Sequence, residues 1–265
     1  MNRHLCLPLL WLGLGITQTV QAAAEPEWRF SLDGSYLRES YPRGTLTTWA
    51  ARINPGVQWG AINFYLDIPW YGKEADFSGV VSLTGPRGRV LATRAIRRNE
   101  QFEGMGDVTA GLSYELATGI DALEINTGLS FKSDTGDAGQ LMGSDTRDTS
   151  LTLDGNWHFD AWTLEAGVGH TWSVSPASSV GAKDHWLFWN TGVTHAFSSR
   201  LSASLRCADQ QPAATQAPDQ GMASLTLDWA ATEQWMLHAG YGRHNAGQVT
   251  GQPESEITLG LSWQP

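Results

Sequence analysis

Twelve segments of the chain alternate between apolar and polar residues with a period of two, the pattern of a β-strand with one apolar face. In residues 146–158, for example, Leu151, Leu153 and Trp157 share one face and polar residues occupy the other. Each segment is about as long as a tilted strand that crosses a bilayer. The twelve segments are 27–38, 45–54, 57–68, 105–117, 121–133, 146–158, 160–173, 184–197, 200–208, 219–231, 233–243 and 254–263.

The connections between these segments alternate in length. The short ones are 54–56, 118–121, 159–161, 198–200 and 231–233, and the long ones are 39–44, 69–104, 134–145, 174–183, 208–220 and 244–255. Short turns at one end and long loops at the other are typical of a bacterial outer-membrane barrel. The sequence therefore predicts an all-β fold, an antiparallel transmembrane β-barrel of about twelve strands. Its short turns and both termini are expected in the periplasm, and its long loops outside the cell.

A soluble β-sandwich would also alternate and would also carry regularly spaced turn signals. Two features favour the barrel. Strands of about twelve residues are long for a sandwich, and aromatic side chains lie near the ends of the apolar faces, where a membrane barrel has its girdles. Residues on this apolar register are Trp28, Phe30, Trp157, Phe159, Trp162, Trp172, Leu187, Trp189, Phe197, Trp229, Trp235, Tyr241 and Trp263.

The N-terminus reads as a secretory leader, with a basic start, an apolar run and small residues before a cleavage site. We expect cleavage after Ala22, or alternatively after Ala24, so residues 1–22 are the signal peptide. Residues 23–265 then form a single barrel domain with a long extracellular loop at 69–104. Only Cys207 remains after cleavage, which excludes an internal disulfide and a cysteine metal cluster.

Charge limits the classes of partner. Loss of Arg3 with the leader changes the net charge from −10 to −11, so a basic nucleic-acid-binding surface is not expected. The partners expected of an outer-membrane barrel are membrane lipids and lipopolysaccharide, a small-molecule solute, and the barrel-assembly machinery during biogenesis.

The polar register predicts a polar and acidic interior. A shift of one residue would turn Asp154 and Glu165 toward hydrocarbon, so the register is well specified. Two interpretations stay open: the charges pair and fill the interior, or they line a narrow water-filled lumen. The predicted lumen-lining residues are Asp33, Arg52, Asp67, Asp107, Glu115, Glu124, Asp148, Asp154, Asn156, His158, Glu165, Arg206, Asp228, His238 and Glu256.

Residues 69–104 form the longest connection, and a loop of this length commonly has a role. Its two apolar halves flank residues 85–88, "GPRG", which predicts a hairpin. One hypothesis places its arginines in solvent near lipopolysaccharide phosphates. The other folds the loop into the acidic mouth as a constriction, held by arginine–carboxylate pairs. The candidate constriction residues are Arg87, Arg89, Arg94, Arg97 and Arg98.

A few ring-bearing residues depart from the simple pattern. His170 and His195 fall on the outward register, and we expect them near the membrane interfaces. Trp59 falls inward by the same counting. Trp186 and Phe188 also count as inward, where they would form a stacking site, but their place near a strand end favours an outer girdle.

Catalytic chemistry is weakly represented, and no catalytic residue, metal site or cofactor is predicted. His170 and Ser173 lie close in sequence but point to opposite faces of a strand. Metal motifs of the H-E-x-x-H kind are missing. Residues 104–107, "GMGD", lack the lysine of a P-loop.

Residues 103–116, "EGMGDVTAGLSYEL", follow a strand that ends at Pro69. This stretch resembles an outer-membrane transporter family named for its link to the meta-pathway of phenol degradation. The match covers about 57–117 and extends further only through the rhythm of the strands. The resemblance implies a signal-bearing barrel that passes small organic, including aromatic, compounds. The family has no agreed catalytic residues, so none are carried over.

These observations predict a monomeric outer-membrane channel in which small molecules diffuse passively through a polar, acidic lumen. The alternatives are an outer-membrane lipid hydrolase and a non-conducting structural barrel or adhesin.

Overall fold

A computed structural model of the chain describes residues 25–41, 44–76, 79–84, 90–97, 99–137, 142–143, 146–174, 184–211, 220–244 and 253–264. The expected leader lies outside these ranges. Among the described residues, no helix has the length and apolar character needed to span a membrane. The strands are β1 (Glu27–Tyr41), β2 (Gly44–Trp59), β3 (Ile62–Ala75), β4 (Gly79–Thr84), β5 (Val90–Ile96), β6 (Glu100–Met105), β7 (Thr109–Leu116), β8 (Leu123–Lys132), β9 (Arg147–Phe159), β10 (Trp162–Val174), β11 (His185–Ser198), β12 (Leu201–Gln210), β13 (Gln220–Ala230), β14 (Trp235–His244) and β15 (Pro253–Trp263).

Twelve of these strands form one closed antiparallel barrel. Their order around the barrel is β1, β2, β3, β7 and then β8 through β15, and β15 pairs with β1. Closure pairs each barrel strand on both sides, so no edge is left with a row of unpaired backbone groups. The predicted all-β, twelve-stranded antiparallel barrel is confirmed.

Alternation assigns the two faces of the barrel. Outward apolar side chains are exposed at mid-height, as at Leu151 and Leu205. Aromatic residues stand outward at both ends, Trp162 near the short turns and Trp172 near the long loops. His195 lies outward beside Trp162, with 4.2 Å between ring centroids, so a polar ring packs within an aromatic girdle. The predicted outward register therefore has the two-girdle arrangement of a membrane barrel.

The first short turn differs from the expectation. Strand β2 continues through residues 54–56, and the pairing of β2 with β3 keeps one register from Ile53 to Trp59. The chain turns at residues 60–61, where Gly60 has a φ of 59° that suits a two-residue hairpin. Pro55 removes one backbone donor but does not end the strand. Trp59 consequently faces outward and is exposed, so the inward assignment was wrong.

Strands β1, β2 and β3 extend further at the long-loop end than predicted. Tyr41 pairs with Gly44, so the expected loop at 39–44 is mostly strand. Strand β3 runs on to Ala75 and gains a second partner there.

The predicted fourth strand, 105–117, begins only at Thr109 of β7, and a separate strand, β6, precedes it and ends at Met105. Strand β6 pairs with the upper half of β3 and β7 with its lower half, and residues 106–108 lie between them. Strands β4 and β5 pair with each other, which confirms the hairpin predicted around residues 85–88. The buried apolar core also lies at this end of the molecule, formed by Leu46, Ala75, Ile96, Phe102 and Met142.

Candidate functional site

The inward register of the barrel strands, here called the lumen face, is the candidate functional surface. On a concave face, side chains from strands two apart come close enough to bond across the strand between them. Strand pairing places fourteen of the fifteen predicted residues on this face, and Asp107 in the break between β6 and β7. The fourteen are Asp33, Arg52, Asp67, Glu115, Glu124, Asp148, Asp154, Asn156, His158, Glu165, Arg206, Asp228, His238 and Glu256. Whether they border a water-filled passage stays a prediction.

An ion pair crosses strand β11 on the lumen face. Arg206 of β12 donates from Nε to Glu165 of β10 over 2.8 Å and from Nη2 over 3.1 Å. The strand between them carries Gly192, where a Cβ would lie 2.9 Å from the Arg206 side chain. Thr194 donates a third bond to Glu165 over 3.0 Å. This carboxylate is therefore largely neutralised and largely buried, although the arginine stays half-exposed.

A second polar network crosses β15. His238 of β14 bonds through Nε2 to Asp33 of β1 over 2.5 Å, above Gly260. A Cβ at Gly260 would overlap both partners, so glycine is needed for this approach. Asn54 donates to the other oxygen of Asp33 over 2.9 Å. Asp228 faces His238 in the next pair of strands.

A cavity of about 340 Å³ lies along the lumen face of β13, β14 and β15. Serine, threonine and glycine make up almost half of its lining residues, and its charged residues include Arg206, Asp228 and Glu256. The small side chains leave room that larger ones would fill. We call the half-buried lumen-face residues Ser224, Thr226, Asp228, His238, Glu256 and Thr258 the open wall.

Two further charged groups stand at other heights of the lumen. Arg52 bonds to the Tyr71 side chain, and its charge interacts with those of Asp67 and Glu256. Near the short turns, His158 lies 3.4 Å from Glu124 through Nε2 and 3.0 Å from the Thr163 hydroxyl through Nδ1.

The long-loop end of the barrel, here called the mouth, holds a buried ionic group that the sequence did not reveal. Lys132 lies 3.2 Å from Asp107 and 3.1 Å from Asp148, and it donates to the Thr146 hydroxyl over 3.2 Å. Both carboxylates are less than a tenth exposed. We call Asp107, Lys132, Thr146 and Asp148 the mouth clamp. Asp107 and Asp148 were predicted to face the lumen, but as separate residues.

Near the mouth, the lumen face is buried on strands outside the open wall. Thr48, Lys73, Thr171 and Ser173 point inward there and are each less than a tenth exposed. Trp186 also points inward and is 2% exposed, whereas its neighbours Leu187 and Trp189 are nearly half exposed on the outer face. The outer-girdle interpretation of Trp186 was therefore wrong. Phe188 lies on the same inward register, over Gly169.

The described residues do not test the predicted arginine-based constriction. Arg87, Arg89 and Arg98 lie outside the described residues. Arg94 belongs to β5, and Arg97 is exposed. The constriction hypothesis for these residues stays a prediction.

Two carboxylates outside the strands have altered acidity. A hydrogen bond from Arg147 lowers the pKa of Asp134, and a hydrogen bond with His185 lowers the pKa of Asp184. Among the described residues no group of three metal-ligating side chains is found. Ser173 is buried on the inner face and His170 packs outward against Trp172, so these two cannot form a nucleophile–base pair.

No protein-family model matches the sequence, and no curated protein matches it either. The fold does resemble solved barrels. An outer membrane channel from Pseudomonas putida F1 has a TM-score of 0.66 at 12% identity, over 92% of this chain and 97% of that one. The NanC porin has a TM-score of 0.59 at 11% identity, over 89% of this chain and 100% of that one. The translocator domain of the autotransporter NalP from Neisseria meningitidis has a TM-score of 0.52 at 11% identity, over 89% of this chain and 88% of that one.

At these identities the likeness shows the fold alone: a transmembrane β-barrel of the outer-membrane type. The resemblance of residues 57–117 to the phenol-degradation family is not confirmed.

Proposed function

We propose that this chain is an outer-membrane channel through which small polar solutes diffuse passively, with a preference for cations. The observation that carries the proposal is the open wall, where small polar side chains border a cavity of about 340 Å³ beside Asp228 and Glu256. Neither Asp228 nor Asp154 accepts a hydrogen bond or an ion pair from another described residue, so both charges stay available to a passing cation.

The proposal includes location in the outer membrane, removal of residues 1–22, periplasmic termini, and lipopolysaccharide and lipid around the outer face. From the family resemblance comes a finer proposal, that the solutes include small organic and aromatic compounds. The polar open wall favours solutes that carry a charge or hydroxyl groups over bare hydrocarbons.

Planar-bilayer recording of the refolded protein tests the channel directly. We expect discrete conductance steps and a reversal potential in a salt gradient that reports cation preference. The double substitution Asp154→Asn with Glu165→Gln, and separately Asp228→Asn, should reduce that preference, because each removes lumen charge. Asp160→Asn is the matched control, since it removes the same charge from an exposed turn where an asparagine tolerates the φ of 51°.

Two results would contradict the proposal. A refolded barrel without conductance steps would exclude a channel, and unchanged selectivity in all lumen variants would exclude the acidic mechanism. Phospholipid hydrolysis by a non-conducting barrel would favour the lipid-hydrolase alternative.

A further inference from the structure

We propose that the connection between β8 and β9 sets the size limit of the channel by holding one side of the mouth closed. This inference rests on the proposed function, and it concerns a different segment from the arginine-rich hairpin. The described residues of the connection, 133–137, 142–143 and 146, are called the mouth loop. Three independent sets of contacts hold it on the lumen side.

The first set is ionic. Lys132 joins Asp107, from the break between β6 and β7, to Asp148 at the start of β9. Thr146 of the mouth loop accepts a bond from Lys132 and donates one to Asp148 over 3.2 Å. A buried charge without its partner is costly, so these groups hold one another in place. The two ends of the mouth loop are thus fixed to the barrel rim.

The second set joins the mouth loop to the strand break. The amide of Gly136 donates to Asp107 over 3.0 Å, and the amide of Val108 donates to the Thr135 hydroxyl over 2.9 Å. A Cβ at Gly136 would lie 2.6 Å from the Gly143 Cα. The chain approaches itself so closely that only glycine fits, which positions the loop against residues 106–108.

The third set is apolar. Met142 is 3% exposed and packs with Leu46, Ala75, Ile96 and Phe102, which we call the apolar mouth cluster. Its side chain lies over Gly104 on the inward side of β6, 3.2 Å from where a Cβ of Gly104 would stand. Burial of the Met142 side chain is favourable only while the loop stays folded inward.

These contacts close only one side of the mouth. They cover the lumen face next to β3, β6 and β8, where inward residues such as Lys73 and Asp148 are buried. Across the barrel, Asp228 and Glu256 keep part of their surface exposed. A solute would pass along the open wall, and the mouth loop would set the width of that passage.

A reversible cross-link tests the inference. The Cβ built at Gly104 lies 3.9 Å from the Cβ of Met142, which is within the ~3.5–4.5 Å range of a disulfide. Gly104→Cys with Met142→Cys, in a Cys207→Ser background, should therefore oxidise spontaneously and fix the loop. Lys132→Gln should release the loop. Met142→Ser should also release the loop, because it weakens the apolar contacts and leaves the ionic ones in place. Arg147→Gln is the control, because it removes an exposed ion pair of the same loop with Asp134.

We expect Lys132→Gln and Met142→Ser to raise single-channel conductance and to admit larger polyethylene glycols, and Arg147→Gln to change neither. The oxidised cross-link should return Lys132→Gln to the conductance of the parent, and a reductant should reverse that return. A parent that does not conduct would contradict the proposed function, and the inference with it, whatever Lys132→Gln does.

Other outcomes overturn it. Failure of the cysteines to cross-link would show that the loop does not lie against β6. A conducting parent with the same polymer cut-off in both releasing variants would refute the constriction and leave the channel intact. Absence of conductance in every variant would refute both.

Discussion

The closed side of the mouth and the open wall lie on the same register of the same barrel, but their side chains meet different surroundings. On the closed side, Lys132 and Asp148 belong to a buried ionic group beneath a folded loop. On the open wall, Asp228 and Glu256 border a cavity. Inward orientation alone therefore does not decide whether a charge is buried in an ionic group or borders a cavity. The segment that covers the side chain decides this, and on the closed side that segment is the mouth loop.

The largest expected effect comes from Lys132→Met. The change leaves Asp107 and Asp148 buried near each other with no cation between them. Breaking a buried ionic group by removing one partner costs about 3–5 kcal/mol. We expect a loss of that order in the free energy of unfolding, measured by denaturant titration in detergent micelles.

The ion pair between Arg206 and Glu165, beside the open wall, supplies the matched change. Arg206→Met removes the cation that bonds to Glu165, but this arginine is 55% exposed and water can reach the site. We expect a clearly smaller loss than for Lys132→Met. Equal losses of unfolding free energy would show that the two ionic groups do not differ in burial.

A smaller effect is expected from Gly260→Ala. The added Cβ would overlap His238 and Asp33, which must separate to make room. Inserting a carbon into such a packed place costs about 1–3 kcal/mol. Gly240→Ala, on the next strand and the same face, meets its nearest atom at 3.4 Å and should be tolerated. Denaturant midpoints of the two variants decide, and equal midpoints would count against a close approach at Gly260.

The strands of both sides could be predicted because the outward face needs an apolar residue at every second position. Errors arose where local turn chemistry and register disagreed. Residues 54–56 have the composition of a turn, but the pairing of β2 with β3 continues past them. Tertiary pairing overrode a local preference there, and the face of Trp59 changed with it.

The inward residues could also be predicted, but not their partners. His238 and Asp33 are 205 positions apart, and only barrel closure brings β14 near β1. The strand break at residues 106–108 has a similar origin, because Asp107 leaves the strand ladder to meet Lys132 and Gly136. Met142 stands in a polar, glycine-rich stretch with no periodicity, so no pattern indicated that it is buried.

The smallest effect is expected from an exposed ion pair at the mouth loop. Arg147 bonds from Nε to Asp134 over 3.1 Å, and both side chains are exposed, unlike those of the mouth clamp. This bond lowers the pKa of Asp134 from its ordinary value of 3.8. A carboxyl group with a lowered pKa favours the folded loop above its ordinary pKa, and that contribution is lost as pH falls through the lowered value.

Arg147→Gln should therefore raise the pKa of Asp134 toward 3.8, measured from its carboxyl carbon by NMR titration. The pKa of Asp184 should not move, because its lowering comes from His185, and this makes it an internal reference. Since solvent screens an exposed pair, the size limit for polyethylene glycols should stay the same above and below about pH 4 in both proteins. A polymer cut-off that widened in acid and followed the titration of Asp134 would show that this exposed pair, and not the buried clamp, holds the mouth loop closed.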